Sequence, residues 1–590
     1  MTGCTSGSLT HNDKTGISPL VYEVDLTDHM TDVFRVKLLV DDLHAENAIY
    51  QFAATAPGTY QVMDIGRFVR EFKAFDRSGQ EVPVERISIN QWQLSRPEQV
   101  HEIRYSIAET WDTPVDSNRI FPMAGTSIES DHVQINGHCV FGYPAGMQAR
   151  PLRIKLHYPD SWQVGTALRR DERYFFADDF DHIVDSPLLL GRLSKAELSL
   201  KGSKIEIYTY SKTDKVNSDQ ILASVKDILL AAADFMDGLP VDHYAFLFHF
   251  EDVTYGAWEH SYSSSYAYSE ANFEQLLQQS IPAVVAHEFF HVVTPLNIHS
   301  EIIEHFNFVE PVPSEHLWLY EGATEWAAHI MRLRSNLIDL NSYLRVVSRK
   351  LSVSDNFRGD YSLSDLSLSS FTPSGQQQYG NIYMRGAVVA GLLDILLLDL
   401  SQGKRGLREV INELAEVYGP EKAFSEKHFY DTFIDMTYPQ IADFFKKYVK
   451  AAETLPLAAY YAKLGIDYSP EVHTGEEEVI AGFHIIVTDG RIALSKVREQ
   501  VKGFGLRDGD ILLAYNGEEV SIKNIRTVFA ELRQLEAGVP YELTLSRDGE
   551  ALTVTCQKII TERVDRHVLT VYPEATPEQI TLRQAWMRNI

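Results

Sequence analysis

His287-Glu288-Phe289-Phe290-His291 and, further along, Leu317-Trp318-Leu319-Tyr320-Glu321-Gly322-Ala323-Thr324-Glu325 decide what this chain folds into. In the first stretch two histidines stand four residues apart, so on a helix their imidazoles lie one above the other and reach one metal ion. Glu288 between them is close enough to act on a water held by that metal. The second stretch supplies a third ligand, Glu321. Two histidines and a glutamate leave one coordination position open, which is the ligand set of a catalytic zinc site rather than a structural one. These spacings imply a metallopeptidase holding one Zn²⁺ per chain.

The flanks support a helix at each stretch. Ser280-Ile281-Pro282 supplies an N-cap serine and a proline in the first turn, and Pro295 closes the same segment. Glu321 and Glu325 are again four apart and share a helix face. Inward carboxylates are costly unless paired or bound to metal. The economical assignment gives Glu321 to zinc and lets Glu325 accept the outer N–H of a ligand histidine, fixing its tautomer. A solvated helix carboxylate is the alternative for Glu325. His299, His305 and His316 are rival third ligands, but none repeats the glutamate's helical setting.

The 590 residues are enough for several domains, each with its own core. A net charge of −28 argues against nucleic acid as a partner, because a basic patch would be needed. The apolar run from Ala387 to Leu400 contains Asp394, is too short to span a bilayer, and reads as a buried helix. Three cysteines, Cys4, Cys139 and Cys556, are too few and too scattered for a disulfide framework or a structural zinc site.

Residues 1–17 are polar and rich in Gly, Ser and Thr, and read as a tether. From about 18 to 202 the pattern is β-like: Phe34, Val36 and Leu38 alternate with Arg35 and Lys37, and turns fall at Pro57-Gly58, Ser78-Gly79 and Asn136-Gly137. A helix is expected over Ser218–Met236 and a strand over Tyr244–Phe250. Residues 203–470 are otherwise mostly helical, broken by a Ser/Gly/Gln-rich stretch from Ser352 to Gln378 that reads as a long loop near the cleft. Glu476-Glu477-Glu478 reads as a linker. A small α/β module is expected over 479–562 and a tail over 563–590.

The zinc helix followed by Glu321-Gly322-Ala323-Thr324 resembles the gluzincin metallopeptidases. Within them the chain is similar to the glycyl aminopeptidase family with a C-terminal PDZ domain. Further blocks carry the resemblance: Pro57-Gly58-Thr59-Tyr60 with Asp64, Arg67 and Phe72–Asp76; Tyr255-Gly256-Ala257-Trp258-Glu259-His260; and Tyr383-Met384-Arg385-Gly386. It implies an α+β multidomain protein with an N-terminal β-sandwich-like domain, a thermolysin-like, mostly helical catalytic domain and a C-terminal PDZ domain. It implies that Gly256, Ala257 and Trp258 line the substrate groove, that Glu259 holds the substrate's free α-amino group, and that Tyr383 stabilises the oxyanion. A fixed carboxylate suits an ammonium, and a phenol donor suits a developing negative charge. Three departures stand out: Val292–His299 replaces a W-N-V-K-R-type stretch, Trp258 replaces a smaller residue, and Arg385 replaces a lysine. The first two lie close enough to the groove to alter side-chain preference.

Gly505-Leu506-Arg507-Asp508-Gly509-Asp510-Ile511-Leu512 through Asn516-Gly517 resembles a PDZ core, with a helix expected over 522–535 and a strand over 541–546. PDZ domains add an extended peptide to a sheet edge. Met1-Thr2-Gly3-Cys4 is similar to the tail of a bacterial lipobox, which implies a lipid anchor at Cys4 and a place in the bacterial envelope, periplasmic or membrane-tethered; without such an anchor the expectation is cytoplasmic. The expected reaction is hydrolysis of N-terminal residues from peptides. A zinc endopeptidase, or a non-catalytic envelope protein binding peptides through its PDZ module, are the alternatives.

Overall fold

The computed structural model describes residues 18–28, 31–252, 256–419, 422–488, 491–521 and 524–588. Cys4, the 1–17 tether and Tyr255 lie outside the described residues. The chain divides into two compact units, one formed by residues up to 467 together with 570–590, the other by 468–569.

The larger unit begins with β structure. Strand Val33–Leu39 buries Phe34, Val36 and Leu38 on one face, as its alternation dictates. It sits inside an eight-stranded sheet, next to Leu20–Asp25 and Glu102–Ala108, and two four-stranded sheets complete the region. The shared core of these sheets reaches beyond them to Trp258, Phe306 and Phe308. This packing matters for the site, because Trp258 immediately precedes Glu259. Asn136-Gly137, expected as a turn, starts a short helix over Gly137–Val140.

A five-stranded sheet follows: β1 (Ser194–Leu200), β2 (Ser203–Ser211), β3 (His243–Glu251), β4 (Gly256–Glu259) and β5 (Ser263–Ser269), in the order β1-β2-β3-β5-β4. The expected boundary at residue 202 falls inside this sheet, since β1 pairs with β2 along its whole length. β4 is an edge strand antiparallel to β5, so one of its sides has no strand neighbour among the described residues. Helix α1 (Ser218–Phe235) starts at an Asn217–Gln220 capping box. The zinc-signature helix α2 (Ile281–Phe290) stops earlier than Pro295 suggests, and turns carry the chain from His291 to Asn297.

Glu321 lies in a wide π-type segment, Trp318–Ala323, that leads into helix α3 (Thr324–Arg334). Such insertions recur where a helix must present side chains for chemistry. Helix α4 (Leu340–Ser354) is followed by Leu363–Leu368 and Pro373–Gln378, two short helices within the stretch expected to be a loop. Ser362 and Thr372 accept the backbone N–H three residues on, so residues that suggested a loop by composition are helix caps here. Helix α5 (Gly380–Leu400) is apolar on nearly every side and long enough to cross a membrane, but 78% of its most apolar stretch is buried inside the protein. Its Asp394 pairs with Arg334 of α3 at 2.9 Å, both buried, and Arg334 also donates to the carbonyl of Trp586.

Trp586 belongs to a helix over Pro577–Met587, so the segment expected to be a tail returns to complete the larger unit. A two-stranded ribbon, Ile466–Ile480 with Ile559–Val571, leads into and out of the smaller unit, and the acidic run read as a linker is part of its first strand. The smaller unit holds an antiparallel sheet ordered His484–Thr488, Arg491–Ser495, Ile511–Tyr515, Pro540–Arg547 and Glu550–Gln557, with a helix over Ile525–Gln534. Leu494, Leu512, Leu532, Leu543 and Leu545 form its core.

Candidate metal centre

His287 and His291 leave α2 on the face turned toward Glu321. The two Nε2 atoms stand 3.1 Å apart, and Glu321 Oε2 is 3.3 Å from one and 3.5 Å from the other. Four ligands arranged tetrahedrally about 2.0–2.2 Å from a zinc ion sit about 3.3–3.5 Å from each other. The triangle therefore has the size that a zinc ion requires. The outer nitrogens settle which way the rings face. His291 Nδ1 donates to the Thr294 carbonyl at 2.9 Å, and His287 Nδ1 to Glu325 at 2.8 Å, so both Nε2 lone pairs converge on the same point. His299 and His316 turn to backbone carbonyls and His305 to the surface, so none of the rival ligands joins the triangle.

Glu325 carries more partners than its spacing suggests. Besides His287 it accepts from His329 at 3.2 Å and pairs with Lys350, a buried ammonium on α4. Burial would raise its pKa, but Lys350 and the two imidazoles hold it well below the carboxylate range. His329 was legible as the residue four beyond Glu325 on α3. Lys350 had no local signal. With three donors on its carboxylate, Glu325→Ala should weaken zinc binding about 10–100-fold, measured by competition with a chromophoric chelator. Unchanged affinity would leave Glu325 a bystander.

Glu288 is buried, and its carboxyl is raised by burial and by Glu321 and Glu325, against the pull of the two imidazoles. The Glu259 carboxyl comes from the end of β4. One oxygen each of Glu259 and Glu288 and one nitrogen of His291 lie within 4.8 Å of one another. Burial, with Glu321 and Glu288 nearby, raises Glu259 above the ordinary carboxylate range, although His291 opposes this. Opposite them, Tyr383 on α5 sets its ring 5.7 Å from that of His287. Burial first, then Glu321, keep its phenol protonated far above neutral pH. Arg385, in the same block, reaches away to the Glu453 carbonyl.

Two close backbone approaches hold these pieces in place. A side chain on Gly322 would meet Gly386 Cα at 2.8 Å, so α5 and the π-type segment touch backbone to backbone. This contact sets Tyr383 beside Glu321. Gly58 has φ +74°, and a Cβ there would collide with Glu259 Oε1 and Trp258 Nε1. The 57–60 turn from the β-rich region thus forms the wall behind Glu259, with Trp258 donating to the Pro57 carbonyl at 3.2 Å. Tyr60 in that turn packs its ring, tilted by 37°, at 5.3 Å from that of Tyr379, whose ring is 5.7 Å from Tyr383. Gln376 fastens the turn by donating to the Tyr60 carbonyl at 2.6 Å. The cavity these groups enclose has a volume of about 710 Å³ and includes Ala257, Trp258, Glu259, Glu288 and Tyr383 in its wall. Gly256 lies one residue along β4.

Family models match the chain twice: the peptidase M61 N-terminal domain over residues 21–192, and the M61 glycyl aminopeptidase over 281–389. The chain is a metallopeptidase, similar to the M61 family over both matched segments. The second match contains every residue of the zinc triangle, Glu288 and Tyr383, and the first contains the 57–60 turn. Among solved structures, an aminopeptidase N family protein from Idiomarina loihiensis is 21% identical, covers 96% of this chain and 100% of its own, and superposes with a TM-score of 0.76. That likeness shows a shared fold. An M1 zinc metallopeptidase from Deinococcus radiodurans is 12% identical over 74% of this chain and 95% of its own, with a TM-score of 0.46. Native yeast LTA4 hydrolase is 12% identical over 76% and 70%, with a TM-score of 0.47. Among curated proteins none matches.

Proposed function

We propose that this metallopeptidase is a zinc aminopeptidase that removes the first residue from peptides with a free N-terminus. His287, His291 and Glu321 would hold the ion, which when bound supplies Lewis acidity toward the scissile carbonyl and toward water. The substrate backbone pairs along the free side of β4, as an added strand does. Glu259 binds its α-ammonium. A carboxylate oxygen of Glu288 takes a proton from the attacking water and hands it to the leaving amine. The Tyr383 hydroxyl donates to the oxygen on which charge develops.

One observation carries this reading: Glu259 lies within 4.8 Å of the Glu288–His291 pair. An ammonium held there leaves room for a single residue before the bond that is cut. Glu259→Ala should therefore lower kcat/KM for free-amine aminoacyl-anilides by about 2–4 kcal/mol, raising KM and lowering kcat together. N-acetylated substrates should be poor for the wild type and little changed by the mutation. Internal cleavage of blocked peptides at rates matching end-trimming would overturn the assignment in favour of an endopeptidase.

For the smaller unit we propose a PDZ-type peptide-binding module. Its edge strand His484–Thr488 lies at one side of the sheet, and a cavity of about 270 Å³ runs between Gly482–His484 and Phe529–Leu532 of its helix. An extended peptide segment fits such an edge.

A further inference from the structure

A second cavity of about 530 Å³ adjoins the metal centre. Gly58, Trp258 and Glu259 line both spaces, so the two meet at the proposed ammonium anchor. Its wall carries six carboxylates, Asp178, Asp179, Asp181, Asp185, Glu259 and Glu304, and no lysine or arginine. Neutral groups hold several of them in place. Gln148 donates to Asp181 at 2.9 Å, the Ser261 N–H to Asp185 at 3.0 Å, and the His182 N–H to Asp179 at 2.8 Å. None of these donors cancels the charge. Burial, with Asp179 and Asp185 nearby and against the Gln148 bond, raises the Asp181 carboxyl to about 6, as expected for an acid short of a counter-cation.

A second observation concerns a ring nitrogen that none of the acids meets. His260 also lines this cavity, is 1% exposed, and its Nε2 has no hydrogen-bond partner among the described residues. Its Nδ1 faces Asp185 at 3.5 Å. A buried ring nitrogen without a partner is costly unless something that binds there supplies the bond. With the proton on the nitrogen facing the carboxylate, Nε2 is an acceptor suited to an N–H donor.

A bare metal ion does not explain the cluster. Among the described residues only two sets of acid and histidine side chains bring their ligand atoms within 4.8 Å of one another, and both are at the zinc centre. The spread of the acids suits an extended organic cation instead. Pro295, Leu296 and Ile303 give the same cavity an apolar side. Apolar wall and acidic wall together match a side chain with a methylene stem and a charged head.

We propose that this cavity receives the side chain of the substrate's first residue and selects arginine and lysine. The proposal rests on the aminopeptidase reading, because it takes the α-ammonium to sit at Glu259. The departures noted at Trp258 and over Val292–His299 fall on its wall, at Trp258, Pro295, Leu296 and His299.

The test compares kcat/KM for arginyl-, lysyl-, leucyl- and alanyl-4-nitroanilides in the wild type and in an Asp181→Asn/Glu304→Gln double variant. The expected result is a preference for the two cationic residues of about tenfold or more, reduced about tenfold in the double variant. Thermal shift of the Glu288→Gln protein with argininamide against alaninamide gives a readout without turnover, and argininamide should shift it more. Should the double variant not fold, the wild-type series and the amide pair decide. Faster turnover of alanyl or leucyl substrates, equal shifts with the two amides, or a folded double variant with its preference intact would overturn the pocket while leaving an aminopeptidase. Cleavage of blocked peptides without turnover of any aminoacyl-anilide would remove the aminopeptidase reading and the pocket together.

Discussion

Glu288→Gln should leave the protein folded and metal-loaded while lowering kcat/KM about 10³- to 10⁴-fold. Glu288 is buried and close to His291, yet it is not a corner of the ligand triangle formed by His287, His291 and Glu321. Glutamine keeps the shape and removes the proton acceptor. Burial, with Glu321 and Glu325 nearby, raises this carboxyl against the pull of the two imidazoles, as suits a group that must hold a proton between two steps. Elemental analysis of the purified variant alongside turnover of an aminoacyl-anilide checks both halves. Loss of zinc together with activity would make Glu288 a support for the metal, and activity within tenfold of wild type would exclude it as the base.

Tyr383→Phe should cost about 10²- to 10³-fold in kcat with KM little altered. The phenol is the hydrogen-bond donor on the α5 side of the cavity, and burial keeps it protonated at every working pH. Phenylalanine preserves the ring contacts to His287 and Tyr379, so stability should change little. Steady-state kinetics read the split between the two constants. A rise in KM with kcat unchanged would recast Tyr383 as a ground-state contact.

The geometry of the site was legible where it is local. His287 and Glu288 lie on α2 and His291 is its C-cap, still with helical backbone angles, so their spacing alone gives their convergence. Glu325 beside a ligand histidine follows from the same arithmetic. The π-type segment was not legible, because Leu317–Tyr320 reads as ordinary helix until its partner α5 is known. Contacts across the chain were invisible for a different reason. Lys350 meets Glu325 from another helix, and Trp258 meets Pro57 across 201 positions, distances over which no periodicity carries information. In the N-terminal region the alternation at Phe34, Val36 and Leu38 gave a strand, while nothing in it indicated that the same core continues to Trp258. The errors were of composition. Ser362 and Thr372 were counted as loop residues when they cap helices, and the acidic run at 476–478 was counted as linker when it sits in a ribbon with many exposed positions, where charge costs nothing.

The return of residues 570–590 to the larger unit has a consequence for how the protein is made. A ribosome adds about 5–20 residues each second, and domains fold as they emerge. After residue 467 the peptidase unit is complete except for its last helix, and about a hundred residues must be synthesised before that helix exists. During that interval the Arg334 guanidinium lacks the Trp586 carbonyl, and the pocket that takes the Trp586 ring beside Tyr343 stands open. The smaller unit, made in one continuous stretch, can fold in the meantime. The newborn chain thus holds a finished accessory module before it holds a finished enzyme, and a chain stopped anywhere short of Trp586 carries the whole zinc triangle on an uncapped core.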